Sequence, residues 1–228
     1  MSIELTASER IARIRSDFRM GVSAGFRSGL EKWLVASSET ITLSRFNGMR
    51  KLGSLELAIT DWRAQTLSTW ATDGDIARLA IPDDKDLDWV HSVCDPSDDF
   101  NTPLKGPFTP IFGGSANVSR TALAICKTAH LIPSAVMVNI TGQDIVGLDF
   151  IDLEQILSLI LNPSNQLIEV SAANVPLQVA EVSRVHVFRP QDGGEEHYAI
   201  EIGNPDRNKS VLSRLHSACF TGDLIGSL

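Results

Sequence analysis

The apolar residues of this chain change their period part-way along, and that change limits the possible folds more than any other feature. Up to about residue 161, helical spacing alternates with short β-type runs; after residues 176–181 the period becomes two. Thr6-Ala7-Ser8-Glu9 is a capping-box pattern, Ile11, Ile14 and Phe18 follow on one helical face, and Gly21 is the expected stop. Residues 32–36 and 55–60 read as buried strands on either side of an amphipathic segment over 43–51. Further on, the pattern predicts a helix over 119–130, a strand over 134–138 and a helix over 152–161 ended by Pro163 and Asn165. Residues 166–170 suit another strand. Such alternation predicts an α+β chain whose front domain is a layered α/β structure.

Beyond the switch, Val185 and Val187, a turn at Pro190-Gln191-Asp192-Gly193-Gly194, and Tyr198, Ile200 and Ile202 predict a β-hairpin. Asn204-Pro205-Asp206 turns again into an apolar run at Val211, read as a strand. The expected domains are therefore 1–181 and 182–228.

Bulk properties narrow the function. The 228 residues can bury a sizeable core. Twenty basic against 28 acidic residues, a net charge of −8 with no basic run, argue against a non-specific nucleic-acid partner. Neither a signal peptide nor a membrane span is visible, which suggests a cytoplasmic protein. Cys94, Cys126 and Cys219 are odd in number and far apart, as expected of reduced thiols. Cys126 falls among Ala122, Leu123, Ile125 and Ala129 and reads as a core residue.

Residues 82–110 are acidic, proline-containing and irregular, with Asp83, Asp84, Asp86, Asp88, Asp95, Asp98 and Asp99. They suit a solvated surface connection, or carboxylates gathered on a divalent metal, although no ligand spacing organises them.

The densest chemistry lies at the close. After Val211 and Leu212 come Arg214, His216, Ser217, Cys219, Thr221 and Asp223, followed by Gly226. An arginine forks onto phosphate or carboxylate oxygens, histidine titrates near neutrality, and a thiolate is a nucleophile or soft metal ligand. Singly, each residue also has a plain structural use. Arg214 could form a surface ion pair, His216 could satisfy backbone carbonyls, Cys219 could pack, and Thr221 or Asp223 could cap a helix.

Together, Arg214-Leu215-His216-Ser217-Ala218-Cys219-Phe220-Thr221-Gly222-Asp223 with Gly226-Ser227 resembles the R-x-H-S-x-C-x-T-G-D-x-x-G-S signature of GTP cyclohydrolase II. The resemblance implies an enzyme of riboflavin biosynthesis that opens the imidazole ring of GTP hydrolytically and releases formate and pyrophosphate. It implies that Arg214, Leu215, His216, Ser217 and Ala218 bind GTP with its magnesium. It also implies that Cys219 is the first of three thiolate ligands to a zinc ion. Ala218 departs from the family's usual glutamate. The two further zinc ligands belong to a C-x-C-G element that does not occur before Leu228. The 228-residue chain is therefore expected to hold no complete catalytic set and to be inactive alone.

A fainter resemblance covers the front. Residues from about Ile11 to Ile168 resemble a degenerate 3,4-dihydroxy-2-butanone 4-phosphate synthase domain, which often precedes GTP cyclohydrolase II; the stretches 15–42 and 113–136 carry the likeness. That likeness implies a metal held by an acidic loop and an R-x-G-H-T-E element. Here residues 23–31 keep only Glu31, and Arg120 and Ala122 replace the expected histidine and glutamate. The front domain is thus expected to be a silent scaffold or a homodimerisation module. The competing expectations are a regulatory module that keeps the fold, and an active ribulose 5-phosphate-processing lyase.

Overall fold

A computed structural model describes residues 4–143, 145, 147–161, 167–178, 180–191 and 193–216. Two compact units emerge, Met1–Leu167 with Pro190–Gly194, and Ile168–Arg189 with Glu195–Leu228. The secondary structure is α+β, as the sequence pattern predicts.

The first unit opens with helix α1 (Ala7–Arg19), capped as expected: the Thr6 hydroxyl accepts from the Glu9 amide, and the Glu9 carboxylate accepts from the Thr6 amide. Gly21 follows at φ +68, where a Cβ would lie 2.1 Å from the Thr40 carbonyl oxygen, so only glycine fits. Strands β1 (Ala24–Ser28) and β2 (Glu31–Ser37) form a hairpin. Helix α2 (Leu43–Arg50), strand β3 (Leu55–Thr60), helix α3 (Asp61–Thr66), strand β4 (Ile76–Ala80) and helix α4 (Leu87–Cys94) come next. The two-residue strand β5 (Thr109–Pro110), helix α5 (Asn117–Thr128), strand β6 (Ser134–Asn139), strand β7 (Phe150–Asp152) and helix α6 (Leu153–Leu161) complete the unit.

The seven strands order as β5-β4-β3-β6-β2-β1-β7. All neighbours are antiparallel except β1 and β7, which run parallel. Gly25 makes that last pairing possible. A Cβ there would stand 2.7 Å from the Asp149 carbonyl oxygen.

Both sheet faces are buried, and the period of two sorts side chains between them. Trp33, Val35, Ala135 and Met137 join Phe18, Ile125 and Ile156 from α1, α5 and α6 on one face. Leu34, Ala36, Val136 and Val138 join Phe46, Met49, Val90 and Val93 from α2 and α4 on the other. Each fully buried Phe or Ile contributes about 1.5–3 kcal/mol. The sheet is thus the middle layer of three.

Three expectations need correction. The segment taken as an altered acidic loop, 23–31, is largely β1 and its hairpin turn. Residues 82–110 are not wholly irregular: Asp86 caps α4 through the Trp89 amide, and Asp95 caps a 3-10 turn over Pro96–Asp98. Residues 211–216 form no strand; a run of Val211 and Leu212 alone finds no ladder partner among the described residues. Pro163 and Asn165 lie outside the described residues.

The second unit contains strands β8 (Leu167–Asn174), β9 (Ser183–Pro190) and β10 (His197–Ile202), in the order β10-β9-β8. The predicted hairpin is present, with Val187 opposite Tyr198 and Val185 opposite Ile200.

Candidate functional site

The second unit positions the approach to the signature. On the hairpin, His186 faces Glu169 at 3.1 Å and Glu201 at 3.7 Å, so these three residues share one sheet face. Alternation then places Ile168, Val170, Val185, Val187, Tyr198 and Ile200 on the other. That face is apolar and open, with Tyr198 64% and Ile200 60% exposed. The chain leaves β10 through Gly203 at φ +77 and is tied down by Arg207 on Glu201 and Lys209 on Asp206.

Arg214, Leu215 and His216 follow on an exposed segment without regular structure, with Leu215 99% exposed. Ser217, Ala218 and Cys219 lie outside the described residues. The structure therefore presents three of the six predicted nucleotide and metal residues, adjacent in sequence and open to solvent.

The front unit carries a different set of charged sites. Where the fainter resemblance calls for a metal-binding histidine, Arg120 forks onto the Asp75 carboxylate at 2.8–3.0 Å and donates to the Asp73 carbonyl. That fork holds the Asp75 carboxyl below its ordinary range and raises the Arg120 guanidinium. Ala122 is fully buried in the core, and the Glu31 carboxylate accepts from the Trp33 indole at 3.1 Å. These residues do not converge. Among the described residues no three His, Cys, Asp or Glu side chains are placed to hold a metal ion. The described residues therefore do not fit a zinc or divalent-metal centre.

The described thiols are structural. Cys94 and Cys126 are buried, and desolvation pushes the Cys126 thiol up to about 12 and raises that of Cys94. Beside Cys94, a small polar hollow holds Ser38, Glu39, His91 and Asp95. Glu39 already accepts from the Ile132 amide, and His91 Nε2 is buried without a hydrogen-bond partner.

Sequence reasoning missed the most concentrated charged group. Arg63, on α3, is 9% exposed and donates two bonds to the Asp99 carboxylate, at 2.6 and 2.7 Å. Its remaining donors reach the Val93, Ser92 and Asp95 carbonyls. The Lys105 ammonium, also buried, pairs with the same carboxylate. Arg63 and then Lys105 draw the Asp99 carboxyl well below its ordinary range. Within the acidic stretch Asp99 thus anchors two buried cations, while Asp83, Asp84, Asp86 and Asp88 are exposed, as a solvated surface connection would have them.

These anchored residues border a cleft of about 910 Å³, walled by Trp70, Leu104, Phe108 and Phe112 together with prolines.

Comparison with known proteins bears on both units. Residues 168–228 match the GTP cyclohydrolase II family. GTP cyclohydrolase-2 of Azospirillum brasilense is 30% identical over 180 residues, covering 75% of this chain and 47% of that protein. GTP cyclohydrolase-2 of Xylella fastidiosa strain Temecula1 is 34% identical over 132 residues, 55% of this chain and 33% of that one. The riboflavin biosynthesis protein RibBA of Phocaeicola vulgatus is 25% identical over 162 residues, 61% and 39% of the two chains. The chain spans less than half the length of these curated relatives. The resemblance read from the closing signature is borne out. The 180-residue likeness is longer than the family match, so it extends into the front unit.

Proposed function

We propose that this chain supplies the front unit and the opening of the nucleotide site of a GTP cyclohydrolase II acting in riboflavin biosynthesis. The observation that carries the reading is the joint signature from Arg214 to Asp223, lying inside the stretch that matches the family. In this reading Arg214 forks onto triphosphate oxygens of magnesium-bound GTP, and Leu215, His216, Ser217 and Ala218 line the same approach. The exposure of Arg214 and His216 supports access for a ligand of that size.

Cys219 is proposed as a zinc ligand. Catalytic zinc takes three protein ligands, and the chain's other thiols cannot help: Cys94 and Cys126 are core groups with raised pKa values. The 228-residue chain on its own therefore hydrolyses no GTP. Its front unit is a scaffold, derived from a sugar-phosphate enzyme and joining two copies, in which the Arg120–Asp75 fork occupies the place of the lost metal site.

Calorimetry with magnesium-GTP, zinc analysis and a formate assay test this together. GTP binding that falls at least tenfold in Arg214→Ala, with neither stoichiometric zinc nor formate, is the expected result. Absence of GTP binding overturns the nucleotide assignment; formate production overturns the claim of inactivity. Ribulose 5-phosphate with magnesium should remain unchanged, and scattering should give a dimer.

A further inference from the structure

The cleft in the front unit has no part in the nucleotide reading, and its construction points to a ligand of its own. Its volume of about 910 Å³ lies in the range of small-molecule sites. Its walls are aromatic and aliphatic: Trp70 is 74%, Phe112 70% and Leu104 95% exposed, with Phe108 packed behind them. Such side chains at a cleft rim leave apolar surface in water that a flat ring would cover.

The polar end is equally specific. Asp99 and Lys105 both line the cleft, and Lys105 is 7% exposed. Arg63 and Lys105 converge on the Asp99 carboxylate, with the Asp95 carboxylate also within electrostatic reach of Arg63. All three kinds of Arg63 nitrogen already donate to protein acceptors. The Lys105 ammonium carries three donors, and among the described residues its acceptor is Asp99. The Lys105 backbone is held in place by the Trp89 indole, which donates to its carbonyl at 2.9 Å. An anionic group entering here would take a donor left over on Lys105.

We propose that this cleft binds a planar aromatic anion, its ring against Trp70 and Phe112 and its acidic group on Lys105. Thr66, Ser68 and Thr69 along the same cleft offer hydroxyls to polar substituents of the ring.

Naphthalene-1-sulfonate is a suitable probe, with neutral 1-naphthalenemethanol as its comparison, titrated against the full 228-residue chain by saturation-transfer NMR. Saturable binding of the sulfonate, at least tenfold tighter than the neutral compound, is expected. Trp70→Ala should weaken it about tenfold, whereas Trp62→Ala, 77% exposed and outside the cleft, should leave it within twofold. Lys105→Met should bring the sulfonate down to the affinity of the neutral compound; circular dichroism checks that this variant folds. Equal affinity for the two probes, or indifference to Trp70→Ala, overturns the proposal. Trp70→Ala changes an exposed side chain, so its result stands even if Lys105→Met fails to fold.

Discussion

Arg63 grips Asp99 with both ends of its guanidinium fork, at 2.6 and 2.7 Å, across 36 residues of sequence. The bond ties α3 to the turn that follows α4, and Lys105 closes the group from the other side. Neither cation can reach water easily. Removing the shared carboxylate should therefore hurt more than losing a surface ion pair.

Asp99→Asn should lower stability by roughly 3 kcal/mol at pH 7, the lower end for a broken buried pair, because Asp99 itself is part-exposed. The pH dependence has a definite sign. The folded carboxyl lies below its unfolded value of about 3.9, so its contribution is present above that pH and fades as pH falls. Urea melts should show a constant gap between the two proteins from pH 7 to about pH 4, narrowing only as the pH is lowered further. A gap that stays the same size well below about pH 4 would show that the carboxylate is not the source.

Thiol titration separates core from site. At pH 8 without denaturant, Cys94 and Cys126 should resist a disulfide reagent, since burial raises both thiols. In the Cys219→Ser protein no thiol should therefore react rapidly, and both remaining thiols should react in denaturant. Fast reaction of the Cys219→Ser protein would contradict the buried placement.

Two glycines should respond in opposite directions to alanine. Gly25→Ala forces a Cβ to 2.7 Å from the Asp149 carbonyl and should cost about 1–3 kcal/mol by displacing β7 from β1. Gly48, within α2, has open space around its added methyl, so Gly48→Ala should stabilise by about 0.5–1 kcal/mol. Thermal melts of the pair report both signs.

The open apolar face of the three-stranded sheet should bind a hydrophobic dye. Ile200→Glu, at a position 60% exposed, should reduce that fluorescence and leave stability within about 0.5 kcal/mol. A large loss of stability would mean that Ile200 is covered.

What could be read from sequence was what neighbouring residues settle among themselves. Helix α1 was legible to its cap because Thr6 and Glu9 lie one turn apart. Strands β2, β3 and β6, covered on both faces, were legible as short apolar runs. Strand β1, Ala-Gly-Phe-Arg-Ser, was not, since its state depends on β2 and on the distant β7. Helix α3 and strand β4 also went unread. Helix α4 was hidden by its acids, although Asp86 followed by Trp89, Val90 and Val93 already had the cap and the spacing. At the site, the signature was visible because its residues are consecutive. The Arg63–Asp99–Lys105 group was invisible because only folding brings it together.

The large sheet stops at β5 and β7, strands of two and three residues, and Pro110 brings no amide proton to the outer rim. A stray strand arriving at either margin would find almost nothing to zip onto. The architecture is closed to growth from its flanks, so any tendency of this polypeptide to polymerise would have to originate outside that sheet.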